Sequence, residues 1–314
     1  MATDHPGDGR ANASQLPDDI AAAIQAIRDD KEHGASWLAR AAARVFALAD
    51  EQLRNATPAE WDAVMRATAQ SLVSARPSMA AVANVAARIW SVGQTRASSI
   101  AREALLAEAA RLAEPDERAM VELAAQRLHG TVYTLSRSGT LEHVLRELGQ
   151  GHIIEGAIVA ESRPGAEGIA LGRALAHDGL PVLIVADAAS GVFIGQAACV
   201  ALGADSLRAN GSLVNKVGSY PLALVAHQAG IPIYVVCETL KIAAPDFPLE
   251  LEEKDPAELV PDVTNHLAAR NPYFDTTPAP LITSYITEEG ILGRDAIALR
   301  AQGAGEALRR LRAG

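Results

Sequence analysis

Ile153-Ile154-Glu155-Gly156-Ala157-Ile158-Val159, the helical stretch Gly165–His177, and Pro181-Val182-Leu183-Ile184-Val185-Ala186 follow one another in that order. Both flanking runs are short, apolar and β-branched, and neither alternates apolar with polar residues. Such runs separated by a helix predict parallel strands buried on both faces of a sheet, because crossover helices cover each face. Outward from this segment the same character recurs at Thr131–Thr134, Cys199–Leu202, Ile231–Val236 and Leu281–Ile286, with helices expected at Thr140–Leu148 and Tyr220–Gln228. Residues 130–314 are therefore expected to form one parallel-sheet α/β domain. Ala243–Val263, rich in Pro, Asp and Glu, reads as a long surface loop, with or without a short helix.

Upstream of Gly130 the pattern is helical and Ala-rich, which favours helix and permits close packing. Residues 17–129 are expected to be a helical domain, with helices at Asp18–Asp30, Ser36–Leu53, Ser78–Trp90, Ala97–Leu112 and Pro115–Leu128. Thr57-Pro58-Ala59-Glu60 is a capping box with Pro at the first helical position, predicting a further helix to about Val73. Residues 1–16, rich in Gly, Asp, Asn and Pro, are expected to be a disordered tail.

The net charge of −10 over 314 residues argues against a nucleic-acid surface. The two cysteines, Cys199 and Cys237, lie in apolar runs and read as buried reduced thiols. No apolar stretch reaches membrane-span length and the N-terminus lacks a signal-peptide core, so a soluble cytoplasmic protein without a membrane partner is expected.

Parallel sheets bind ligands beyond the carboxyl ends of their strands, which makes the residues after each run the ones to inspect. Thr134-Leu135-Ser136-Arg137-Ser138-Gly139 offers hydroxyls and a glycine before a helix, either an anion site or an ordinary Ser cap. Glu161-Ser162-Arg163-Pro164-Gly165-Ala166-Glu167-Gly168 sets a Glu and an Arg just past a strand, either as site groups or as a salt bridge that fixes the loop. Asp187 either orients a site group or caps the next helix. Asn210-Gly211 is a turn signal, and Asn215-Lys216-Val217-Gly218-Ser219 beyond it suits a phosphate or sugar hydroxyls. The P-loop spacing, G-x-G-x-x-G after a strand, H-E-x-x-H, Cys-x-x-Cys and G-x-S-x-G are all absent; no cofactor and no metal is expected.

Taken together, Glu161-Ser162-Arg163-Pro164-x-x-Glu167-Gly168, Gly203-Ala204-Asp205, Asn210-Gly211-x-x-x-Asn215-Lys216-x-Gly218-Ser219 and Asp275-x-Thr277-Pro278 resemble the initiation factor 2B α, β and δ subunit family. That family also contains methylthioribose-1-phosphate isomerase and ribose-1,5-bisphosphate isomerase. Arg76-Pro77-Ser78 with Asn84, and Gly34-Ala35, are similar to its Arg-Pro-Thr…Asn and Arg-Gly-Ala segments. The resemblance implies a helical domain followed by a Rossmann-like domain, assembly into homodimers or larger homo-oligomers, and a phosphorylated sugar or similar small phosphate as ligand. It implies Asp205 as an acid–base residue and a substrate-binding set of His33, Gly34, Ala35, Arg76, Arg163, Glu167, Asn215 and Lys216.

Two departures shape the expected chemistry. The resembling isomerases move a proton between adjacent carbons of an opened sugar, which needs two positioned acid–base groups. Their catalytic Cys falls at Ser136, and the His before it is Leu135. A thiol of pKa about 8.5 can be tuned to accept a proton near neutrality, whereas a serine hydroxyl needs an adjacent base such as Asp187 or Glu161. His33 stands where they carry the phosphate-binding Arg, a weaker and pH-dependent substitute. The leading expectation is a sugar-phosphate-binding homolog without the standard isomerase proton transfer. The alternatives are an aldose–ketose isomerase acting on ribose 1,5-bisphosphate or methylthioribose 1-phosphate, and a regulatory subunit of a translation-initiation nucleotide-exchange complex.

Overall fold

The computed structural model describes residues 16–30, 33–76, 79–94, 98–248, 251, 253–262, 264 and 266–313. The expected tail (except Leu16), Pro77 and Ser78 of the Arg-Pro-Ser motif, and the expected helix starts at Ser78 and Ala97 lie outside these residues.

The chain opens with helices α1 (Asp18–Asp29), α2 (Ala35–Gln52), α3 (Pro58–Ala75), α4 (Ala80–Gln94), α5 (Ser98–Ala113) and α6 (Arg118–Ala124). The Thr57 hydroxyl accepts from the Glu60 N–H while the Glu60 carboxylate accepts from the Thr57 N–H, so the capping box starts α3 as its spacing requires. Then follow β1 (Gly130–Leu135), α7 (Gly139–Gln150), β2 (Ile154–Ala160), α8 (Glu167–His177), β3 (Val182–Val185), the short α9 (Ser190–Phe193), β4 (Cys199–Leu202), β5 (Ser206–Leu207), β6 (Leu213–Lys216), α10 (Ser219–Gln228), β7 (Ile233–Val236), β8 (Phe274–Thr277), β9 (Ser284–Thr287), β10 (Gly290–Leu292) and α11 (Arg294–Ala313).

The main sheet runs β10-β9-β7-β4-β1-β2-β3, and every pair except the antiparallel β9–β10 edge is parallel. From β1 the chain steps outward to β2 and β3, then returns to β4 on the other side of β1. That reversal opens a crevice beyond the carboxyl ends of β1 and β4, where open α/β sheets bind ligands.

Successive strand residues point to opposite faces, and each face fills a separate core. Val132, Ala157, Val159 and Ala201 pack with Leu141, Leu145 and Leu148 of α7 and Leu171 and Leu175 of α8. Tyr133, Ile158, Val200 and Leu202 pack with Leu222 and Ala226 of α10 and Ile297 of α11. Cys199 and Cys237 are both fully buried free thiols, and burial pushes both above the ordinary thiol range. A third core joins α1 to α5 and takes in Leu308 and Leu311 at the end of α11. The helical layer thus draws on both ends of the chain, and no helix among the described residues is long and apolar enough to cross a membrane.

Several local expectations are corrected. The last parallel strand begins at Ser284, because Ala279–Leu281 forms a 3₁₀ turn around Pro280, which has no N–H to give a ladder. The segment 243–263 is not all surface loop: Ala243, Ala244 and Phe247 are buried against the helical core before the 3₁₀ turn Pro256–Glu258. The small antiparallel sheet β5-β6-β8 and the edge strand β10 escape pattern reading, because their strands are only two to four residues long.

Candidate functional site

The carboxyl ends of β1, β2 and β3 are tied into one chain of hydrogen bonds. Ser136 leaves β1 in a left-handed conformation (φ 62°) and its N–H donates to Ser162 Oγ at 2.6 Å. Ser162, also left-handed (φ 63°), donates its own hydroxyl to the Ala160 carbonyl at 3.0 Å. Asp187, just past β3, accepts the N–H groups of Ser162 and Arg163, each at 2.7 Å. Asp187 therefore does not cap a helix: both its oxygens hold the loop that holds Ser136. Glu161 pairs with Arg163 at 3.4 Å, the loop-fixing salt bridge. Among the described residues no carboxylate or imidazole bonds the Ser136 hydroxyl, and the Leu135 side chain beside it is buried and apolar.

On the other flank, β4 ends against the start of α7. A Cβ on Gly203 would sit 2.5 Å from Ser138 Cβ, so only glycine lets these segments approach. Ser138 is the N-cap of α7, accepting from the Leu141 N–H at 3.4 Å, and Gly139 and Thr140 of that first turn line the crevice. The N-cap and anion-site readings of this segment are thus compatible, since a capped twelve-residue helix still aims its dipole at the crevice. Asp205 follows on the same wall, with its N–H on the Val214 carbonyl at 3.0 Å.

Lys216 is 6% exposed, its ammonium 2.6 Å from Glu167 Oε1 and 3.9 Å from the centre of the Tyr273 ring. Asn215 is buried and donates to Ser219 Oγ at 2.9 Å, which in turn donates to the Lys216 carbonyl at 2.7 Å. Across the register from Asn215, Asp275 accepts the N–H groups of Gly218 (2.8 Å) and Tyr220 (3.1 Å) at the start of α10. Burial pushes the Asp275 carboxyl up to about 6, more than those backbone donors pull it down. A folded-state value above the unfolded one means that its stabilisation is full below pH 3.8 and is lost as pH rises through about 6. The unfolding midpoint of Asp275→Asn, read against wild type, is expected to be relatively highest at pH 7 and to lose ground toward pH 4.5. A difference that is flat with pH would refute this.

The helical layer supplies the remaining wall. Arg76 donates to the Arg28 (3.1 Å) and Asp30 (2.7 Å) carbonyls at the end of α1. The His33 ring stacks on Trp37 at 3.7 Å between centroids, with Nδ1 2.7 Å from Asp30. All these elements enclose a cleft of about 610 Å³ lined by His33, Gly34, Ala35, Arg76, Ser136, Glu167, Asp205, Asn215 and Lys216. Of the expected catalytic and substrate-binding residues, Arg163 alone stands outside this lining, its side chain 67% exposed. Ser36, Arg40, Arg137, Thr140, Arg146, Lys241, Lys254 and Tyr273 also line the cleft and were not singled out. Lys241 lies five residues past β7, where the strand-end rule would have found it. Arg40 and Lys254 come from the helical layer and a distant loop and carry no local signal. The lining holds seven Lys and Arg side chains against four carboxylates, in a chain of net charge −10.

A family model described as the initiation factor 2 subunit family matches residues 31–294. The chain is 33% identical over 299 residues to a methylthioribose-1-phosphate isomerase of Anaeromyxobacter sp. (strain Fw109-5), covering 86% of this chain and 84% of that protein. It is 31% identical over 287 residues to a ribose 1,5-bisphosphate isomerase of Archaeoglobus fulgidus, covering 88% and 90%. Among solved structures, translation initiation factor eIF-2B of Pyrococcus horikoshii OT3 superposes with a TM-score of 0.72 at 28% identity, over 88% of this chain and 98% of that one.

Proposed function

This chain belongs to the initiation factor 2 subunit family, which includes sugar-1-phosphate isomerases and translation initiation factor 2B-like proteins, and on that premise we propose that it holds a phosphorylated sugar in the cleft without the standard isomerase proton transfer. The observation that carries the reading is the gathering of seven Lys and Arg side chains in one cleft of an acidic chain, around the first turn of α7. Backbone N–H groups and the helix dipole favour a phosphate there, and Lys216 adds a point charge in a nearly dry setting. Asp205, which lines the cleft, is assigned as one proton-transfer group. Ser136 does not match it, since its hydroxyl has neither a thiol's acidity nor a base beside it. The same proposal takes the protein to be cytoplasmic and a homodimer or larger homo-oligomer, the latter checked by light scattering.

Thermal unfolding with methylthioribose 1-phosphate and ribose 1,5-bisphosphate tests the binding. At about 100 times its Kd a ligand specific for the folded state adds about 2.7 kcal/mol, a rise of several degrees in Tm. No rise with either compound would sink the reading. The presence of Asp205 in the cleft favours a second reading, a family-type isomerase. NMR of either sugar phosphate with wild type is expected to show no ketose. Ser136→Cys is expected to gain measurable turnover, which Asp205→Asn then abolishes. Ketose formation by wild type would establish the isomerase reading instead.

A further inference from the structure

Glu238 lies two residues past the end of β7, behind the cleft wall where α2 and α7 begin. Thr140 Oγ1 donates to its Oε1 at 2.7 Å and Ser36 Oγ to its Oε2 at 3.2 Å. The Lys241 ammonium lies 3.5 Å from Oε2, and the Glu238 and Lys241 side chains are only 13% and 4% exposed. Burial works against ionisation of Glu238, but the Lys241 ammonium and the Thr140 hydroxyl outweigh it and hold the carboxyl below its ordinary range. An ionised carboxylate only accepts, so both hydroxyls must give it their single proton. The 3.4 Å approach of Ser36 Oγ to Thr140 Oγ1 is then a contact of two acceptors. What these two side chains have left for the cleft they line is lone pairs.

We propose that Ser36 and Thr140, oriented by Glu238, form the end of the cleft that reads the sugar's own hydroxyl groups by accepting hydrogen bonds from them. Glu238 is a positioning residue and touches no ligand. A phosphate oxygen, itself an acceptor, gains nothing from these hydroxyls and is left to the N–H groups and cations. A ligand lacking such a hydroxyl leaves an oriented acceptor unpaired, and a site built to bond a hydroxyl discriminates against the analogue without it. The inference rests on the sugar-phosphate reading above and deepens it.

The test is calorimetric titration of wild type, Ser36→Ala, Thr140→Val and Glu238→Gln with ribose 1-phosphate and its 2-deoxy and 3-deoxy counterparts. Wild type is expected to bind ribose 1-phosphate about tenfold more tightly than at least one deoxy sugar. In Ser36→Ala and Thr140→Val that ratio falls toward one, while affinity for the deoxy sugar changes by no more than about twofold. In Glu238→Gln the carboxamide donates to one hydroxyl and turns that proton into the cleft, so the ratio also falls although both hydroxyls remain. A purely structural role for Glu238 would weaken all three ligands alike. Unfolding midpoints verify the fold of each variant, and Ser36→Ala carries the test if the more buried Thr140→Val or Glu238→Gln fails to fold. Equal wild-type affinities for all three sugars, or a ratio unchanged in the variants, overturns the inference and leaves sugar-phosphate binding standing. Wild type that binds none of the three overturns the inference, and both readings fall if methylthioribose 1-phosphate and ribose 1,5-bisphosphate also leave it unstabilised.

Discussion

Gly168→Ala is expected to cost about 3 kcal/mol or more of folding stability and to abolish binding in the cleft. A Cβ on Gly168 would lie 1.8 Å from the Ala160 carbonyl oxygen and 3.0 Å from Ser162 Oγ. The first of these neighbours is backbone at the end of β2 and cannot rotate away, so the first turn of α8 or the strand must move. The second is the hydroxyl that receives the Ser136 N–H, so any shift travels straight into the loop after β1. The same displacement carries Glu167, one residue away, off Lys216. Gly191→Ala is the control, because a Cβ there meets nothing within 4 Å and its backbone is not left-handed. Urea unfolding is expected to show a large loss for Gly168→Ala and little change for Gly191→Ala. Comparable midpoints for the two would refute the close-packing account.

Lys216→Met is expected to weaken sugar-phosphate affinity by about 100-fold and to destabilise the fold by about 2 kcal/mol, for two separable reasons. The affinity loss follows from removing a nearly buried ammonium from the cleft wall. The stability loss follows from the Glu167 carboxylate left behind, whose Oε2 already has no hydrogen-bond partner. Because the Glu167 side chain is 32% exposed, the figure is set below that for a fully buried broken pair. Adding Glu167→Gln to Lys216→Met removes the stranded charge. The double variant should regain most of the stability and none of the affinity. Recovery of both together would make Lys216 a structural partner of Glu167 and nothing more.

The two sides of the site were unequally legible. Asp205 follows the end of β4, and Asn215 and Lys216 are the polar end of the short strand β6 beyond the Asn210-Gly211 turn, so all three stand out by position. The replacement of the resembling isomerases' Cys and His by Ser136 and Leu135 is likewise a matter of residue identity and needs no coordinates. Asp187 shows the opposite case. From the sequence it was a helix cap, an orienting group or a candidate base, and three answers fitted because its partners lie about 25 residues away. Arg163, read as a ligand-binding residue from its motif, stands in the structure outside the cleft lining, paired with Glu161.

The sequence by itself determined the alternation of buried strands and covering helices, the capped start of α3, and the absence of a thiol at position 136. These are local properties: burial period, cap chemistry and residue type are all written within a few neighbouring positions. Only the tertiary structure decided that Ser36, Thr140 and Glu238 share one set of hydrogen bonds, that Lys216 sits on Glu167, and that α11 completes the helical core. The physical reason is that β1 lies between β2 and β4, so strand ends remote in the chain converge on one crevice. Which side chains meet there is set by crossover packing and close backbone approaches, and no local period records either.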